Sequence, residues 1–134
     1  MTPLIIEPSD FSPKVVLDPG KNIFELTGSS RIENTSKFYQ PVLQWLEQYQ
    51  HALSSANQKF IQGAEPTFEF KLDYFNSTSA KCIMDALMKL DKIAEKGYNI
   101  KAKWHYKKHD EDMKESGEGF AKLLKKLPIE FVGV

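Results

Sequence analysis

The sequence predicts an α/β fold built on a single mixed β-sheet with its helices packed on one face. Three observations carry that expectation. Apolar residues recur at every second position in TFEFKLDYF (67–75) and in YNIKAKWHY (98–106), the period of a half-buried strand. Apolar residues recur at spacings of three and four in the stretches around them, the period of an amphipathic helix. The resulting order is β-β-α-β-α-β-α-β, in which each helix links two strands as a crossover and so sets them parallel. Because the strands alternate in polarity, one sheet face should meet water while the helices cover the other.

Each element has a local reason. Residues 1 to about 13 hold three prolines and little periodicity, and are expected to form a flexible lead-in to a single domain over 14–134. VVLDPGKNIFELTG reads as a hairpin: Val15 to Leu17 and Ile23 to Thr27 are β-prone, and Asp18 to Asn22 supply turn residues. Gly28 to Asn34 reads as a loop. Asn34, Thr35 and Ser36 are candidate caps for a helix whose stripe is Phe38, Val42, Trp45, Leu46, Tyr49 and Leu53. Pro41 fits best in a first turn, which suggests a later start or a kink. Ser54 to Glu65 is a polar connector.

Phe68, Phe70, Leu72 and Tyr74 are then expected on one face of a strand. KCIMDALMKLDKIAEKG follows as a helix with Ile83, Ala86, Leu87, Leu90, Ile93 and Ala94 on its apolar side and Gly97 at its C-terminal end. Ile100, Ala102, Trp104 and Tyr106 alternate as the next strand. DEDMKESGEGFAKLLKK places acids in a helix's first turn and lysines in its last, as the dipole prefers, with Met113, Phe120, Leu123 and Leu124 inward. Pro128 ends it, and IEFV forms a last short strand.

Bulk properties narrow the function classes. The chain has 134 residues, 41% of them hydrophobic, which supports one domain with a core that needs no metal or disulfide. Eighteen basic residues balance 18 acidic ones, which argues against a general nucleic-acid or membrane binder. No segment approaches the roughly 20 apolar residues of a membrane span. The single cysteine, Cys82, cannot form an internal disulfide, and the N-terminus lacks the features of a signal peptide, so a cytoplasmic protein is expected. Asn34-Thr35-Ser36 and Asn76-Ser77-Thr78 match the glycosylation sequon, which carries no chemistry without secretion.

Catalytic patterns are nearly absent. The seven glycines form no phosphate loop, and no cofactor is expected. Cys82 lies one position from the Ile83 stripe and reads as a partly buried, inert thiol. His105, His109, Asp110, Glu111 and Asp112 form the densest titratable cluster and could make a weak metal site, although the helix dipole already explains the acids. Gly117 and Gly119 in mid-helix each cost up to about 1 kcal/mol relative to alanine, which implies close approach of another element or a partner.

The stretch Asn76-Ser77-Thr78-Ser79 stands where a strand ends and a helix begins. Asn76 and one hydroxyl suffice to cap the helix, contributing about 1 kcal/mol. Three consecutive hydroxyls exceed that need. They also lie where a helix N-terminus favours a negative group, so a phosphoryl group there would change the surface without breaking the fold.

The runs GSSRIENTSKFYQPVLQWLEQY, FKLDYFNSTSAKCIMDAL and WHYKKHDEDMKESGEGF resemble the SiaC-type bacterial regulatory phosphoproteins, over about residues 14 to 132. The most specific parts are Glu33-Asn34, Phe38-Tyr39 with Trp45, Tyr74 to Ser79, and Asp110 to Met113. That family is related in fold to STAS-type anti-anti-sigma factors, which carry a phosphorylatable Ser or Thr after a central strand, usually following an Asp. Here Asn76 stands where that Asp would be. The resemblance therefore implies Ser77 as the phosphorylation site, with Thr78 as second choice and Asn76 and Ser79 as its cap surroundings. In the best-studied SiaC-type system the corresponding position is a threonine.

The resemblance further implies a STAS-like, non-enzymatic partner-switching module. A serine/threonine kinase of the histidine-kinase-like ATPase fold modifies it, a PP2C-type phosphatase reverses this, and the unmodified form binds an effector such as a diguanylate cyclase. Tyr74, Lys81, Asp110 and Glu111 are candidates for the partner surface. Two other readings stand beside it. One is a small metal-dependent enzyme using His105, His109 and the adjacent acids. The other is a plain STAS-like adaptor in which NSTS only caps a helix.

Overall fold

A computed structural model describes residues 1–55 and 65–134, so most of the expected connector over Ser54 to Glu65 lies outside the described residues. The strands are β1 (Leu4–Ile6), β2 (Lys14–Asp18), β3 (Ile23–Ser30), β4 (Thr67–Phe75), β5 (Lys101–Tyr106) and β6 (Ile129–Gly133). The helices are α1 (Thr35–Ser55) after β3, α2 (Ser77–Glu95) after β4 and α3 (Glu111–Ala121) after β5. All the strands form one sheet in sequential order. β1, β2 and β3 pair antiparallel, and β3 through β6 pair parallel. The expected mixed sheet is therefore present, with one strand added at the N-terminus.

That strand corrects the reading of residues 1–13 as a loose lead-in. Leu4 pairs with Leu17 and Ile6 with Val15 along the sheet edge. The Trp45 indole N–H donates to the Thr2 carbonyl at 2.9 Å, and Arg31 N–H donates to Phe11 O at 2.8 Å. Prolines on both sides confine the strand to three residues, too short for a period to show. The hairpin that follows is as expected: Asp18 Oδ1 accepts from Lys21 N–H at 3.2 Å, and Asn22 takes a positive φ of 54°, which asparagine tolerates.

The core is set by two cross-strand rows. Leu17, Phe24, Phe68, Ala102 and Ile129 pair in one, and Val15, Leu26, Phe70, Trp104 and Phe131 in the other. Both rows face the same side. Tyr49 and Trp45 of α1 meet Phe24 of β3, and Phe120 of α3 meets Trp104 of β5, so these helices share that face. α2 lies against α1 there, with Ile83, Leu87 and Leu90 fully buried. On the opposite face Lys71 pairs with Glu25 and Lys103 with Glu130, each at 3.6 Å, while His105 Nε2 meets Glu69 Oε1 at 2.9 Å.

Four expectations are corrected in detail. β3 runs on to Ser30, into the first three residues of the expected loop. α1 begins at Thr35 and passes through Pro41, its seventh residue, whose ring sits on the exposed side of the helix. Asn34 caps it, accepting from Lys37 N–H at 3.2 Å. Tyr74 does not join Phe68, Phe70 and Leu72. The register steps from Gly28–Leu72 to Ser29–Tyr74, so Asp73 is an extra residue, a bulge that turns Tyr74 outward (42% exposed) and Phe75 inward. Phe75 then packs on Trp104 and Phe120, at 6.2 and 6.0 Å between ring centroids.

The fourth correction concerns α3, which ends at Ala121 with no lysine in its last turn, leaving Leu123 62% exposed and Leu127 buried instead. The cause is Asp91 on α2. Its carboxylate accepts the backbone N–H groups of Lys125, Lys126 and Leu127 at 2.8 to 3.2 Å, pulling that segment out of helical geometry. α3 is seated by Gly117, where a Cβ would lie 2.5 Å from the Trp104 indole, and by the indole N–H donating to Met113 O at 2.9 Å. The close approach implied by a mid-helix glycine is thus met at Gly117. Gly119 has open space around its Cα.

Candidate functional site at the β4–α2 junction

Asn76 is the N-cap of α2 because its extended backbone (φ −80°, ψ 173°) leaves its side chain free to turn back on the helix. Its Oδ1 accepts from Ser79 N–H at 2.9 Å and from the Thr78 hydroxyl at 3.2 Å. Its Nδ2 donates to Ile32 O at 3.1 Å, and its own N–H donates to Ser30 O at 3.1 Å. The junction is therefore fastened to the end of β3 from both the backbone and the side chain.

The three hydroxyls have three different situations. Ser77, the first residue of α2, is exposed. Thr78 is exposed and bonded to the cap. Ser79 is fully buried, its hydroxyl 2.7 Å from Ser30 Oγ, which in turn lies 2.8 Å from Tyr39 Oη. Burial pushes the Tyr39 phenol up to about 12 against the lowering effect of its Ser30 bond, so it stays protonated and can donate. This buried hydroxyl chain links α2, β3 and α1 beneath the exposed pair.

Other candidate residues distribute along the same rim, where the parallel strands end. Tyr74 carries the Arg31 guanidinium 4.3 Å above its ring. Lys81 is exposed and pairs with Asp85 at 3.6 Å. Thr78 and Lys81 border an open groove of about 700 Å³ between α1 and α2, together with Lys37, Leu43 and Cys82. Asp110 caps α3, accepting from Met113 N–H at 3.0 Å, and Glu111 follows exposed in the first turn. Lys107 reaches the bulged Asp73 at 3.8 Å, bridging the two helix starts.

The family model described as SiaC family regulatory phosphoprotein matches residues 6–134. This chain belongs to the SiaC family. It is 26% identical over 121 residues to an uncharacterised protein of Pseudomonas aeruginosa strain UCBPP-PA14, covering 90% of this chain and 88% of that protein. The crystal structure of apo-SiaC from Pseudomonas aeruginosa matches with a TM-score of 0.81 at 22% identity, over 99% of this chain and 100% of that one. A chain from the crystal structure of the diguanylate cyclase SiaD in complex with its activator SiaC, from the same organism, matches with a TM-score of 0.81 at 23% identity, over 98% of this chain and 99% of that one. At these identities the likeness to the solved structures establishes the SiaC fold.

Within this SiaC-family fold the histidine cluster does not assemble. His105 is engaged with Glu69 on the open sheet face, and His109 is exposed ahead of α3. Among the described residues, no group of three or more His, Cys, Asp or Glu side chains could hold a metal ion. Cys82 is buried. Among the described residues, no helix is long and apolar enough to cross a membrane.

Three contacts around this rim and its supporting helices were not read from the sequence. The Arg31–Tyr74 stack depends on the bulge, which has no composition signal. The Ser30–Ser79 bond joins residues 49 apart in sequence. Asp91 did leave a signal, since it is a charged residue on the apolar stripe beside Leu87 and Leu90.

Proposed function

We propose that this chain is a non-enzymatic regulatory phosphoprotein whose switch is Ser77. In this reading a serine/threonine kinase of the histidine-kinase-like ATPase fold modifies Ser77, a PP2C-type phosphatase restores it, and the unmodified protein binds an effector. The effector class is a diguanylate cyclase, by analogy with the complex formed by the SiaC relative. The observation that carries the reading is the exposure of Ser77 beyond a cap that does not use it. Asn76 supplies the cap by accepting the Ser79 N–H without help from Ser77, so the Ser77 hydroxyl is free for chemistry.

The same geometry ranks the neighbouring hydroxyls. Ser79 is closed to any kinase by its burial. Thr78 would have to give up its bond to Asn76. Phosphorylation by a serine/threonine kinase of that class, followed by tandem mass spectrometry, tests the assignment. The phosphate is expected on Ser77, and Ser77→Ala is expected to abolish incorporation. Phosphate found on another residue, or none, would remove Ser77 from the switch.

A further inference from the structure

Arg31 is the only arginine in the sequence, and the structure gives it no anion. Among the described residues no carboxylate lies within ion-pair distance of it, whereas six other basic side chains are so paired. Its guanidinium instead rests on the outward face of Tyr74 at 4.3 Å. Its backbone is fixed. Arg31 N–H donates to Phe11 O at 2.8 Å, and the residues on either side of it, Ser30 and Ile32, both accept from Asn76 at 3.1 Å. Asn76 immediately precedes Ser77. The arginine is therefore held one residue from the proposed switch, with a side chain long enough to turn towards it.

We propose that Arg31 receives the phosphoryl group carried by Ser77, exchanging its seat on Tyr74 for the phosphate. This rests on Ser77 being the modified residue. An exposed cation–π contact is a weak hold, while a guanidinium fork on a phosphate is a bidentate, charge-assisted contact. The exchange leaves the Tyr74 ring bare on the rim that faces partners. A single modification thus changes two features of the surface, adding an anion at the helix start and uncovering an aromatic ring.

Lys81 is the competitor, because it stands four residues after Ser77 on α2. It is a point charge already drawn towards Asp85 at 3.6 Å, and it is 81% exposed. Arg31 has no such partner and presents a planar fork that suits phosphate.

The test installs phosphoserine at position 77 during translation, so that it does not depend on which residue a kinase selects. The second phosphate ionisation, near pH 6 when unperturbed, is followed by phosphorus NMR in the full chain. A facing guanidinium favours the doubly charged form, so that ionisation is expected to fall by about half a unit or more. R31Q should raise it back towards the unperturbed value, leaving only the part due to the helix N-terminus, R31K should retain more of the shift, and K81Q should leave it unchanged. An identical titration in the parent and in R31Q, or a shift abolished by K81Q alone, would overturn the assignment. If the titration behaves as expected but phosphorylated and unmodified chains bind the effector equally, Arg31 still receives the phosphate and only the partner-switching reading fails.

Discussion

α2 and α3 start in the same way at the same rim, and differ in charge. Each is capped by an Asx side chain that accepts the backbone N–H three residues on, from Ser79 at 2.9 Å and from Met113 at 3.0 Å. Each follows a parallel strand. Yet α3 carries Glu111 and Asp112 in its first turn, while the first turn of α2 has no acid. A helix N-terminus favours negative charge by about 0.3–1 kcal/mol per group. α3 has that charge encoded in its sequence; α2 presents hydroxyls in its place. A phosphoryl group on Ser77 would give α2 reversibly what α3 has permanently, so a change at this surface need not disturb the fold.

The two helices also differ in how they are held, and the largest effects should appear there. α3 rests on Trp104, through Gly117 and the Met113 carbonyl. Trp104→Ala is expected to cost about 3–5 kcal/mol in denaturant melting, the range for buried tryptophan, because it leaves a cavity and frees α3. A loss of less than 1 kcal/mol, by the same principle, would show that α3 does not depend on this seat.

Asp91 comes next, because it ties α2 to the segment after α3. Burial opposes its charge, but the N–H groups of Lys126, Leu127 and Lys125 prevail and hold the carboxyl below its usual range. Its contribution is thus fully present above the unfolded value near 4 and is lost as pH falls through the lower folded value. Asp91→Ala should cost about 1.5–3 kcal/mol at neutral pH, as charged hydrogen bonds do. Asp91→Asn should flatten the fall in stability below about pH 4. Parallel acid titrations of the parent and this variant would disprove the assignment.

The caps should be smaller and alike. Asn76→Ala and Asp110→Ala are each expected to cost about 1 kcal/mol. A markedly greater cost for Asn76, measured side by side, would point to its additional bond to Ile32 O. The smallest pair sharpens the contrast in charge. Ser77→Asp should stabilise, and Glu111→Ser should destabilise, each by about 0.3–1 kcal/mol at low salt. Equal signs in thermal melts would break the comparison.

The alternation of Phe68, Phe70 and Leu72 and the helical stripes made the sheet and its covered face legible, since those periods are local. Asn76 as cap and Ser77 as an exposed neighbour were also legible, because cap chemistry is confined to four residues. What escaped is non-local. The Asp73 bulge, which turned Tyr74 outward, is set by pairing with β3. The early end of α3 is set by Asp91, and the use of Ser79 by Ser30 and Tyr39, each across the chain. β1 was hidden by its length of three residues.

Calorimetric titration of the effector into unmodified chain and into chain carrying phosphoserine at position 77 tests the central claim most directly. A partner docked on this rim must desolvate the new charge or set its own acids against it, and a mismatched buried charge costs about 2–5 kcal/mol. Phosphorylated protein is therefore expected to bind at least about tenfold more weakly while melting no lower than the unmodified chain. Equal affinities for the two forms would contradict the switch and leave Asn76 to Ser79 as a helix cap alone.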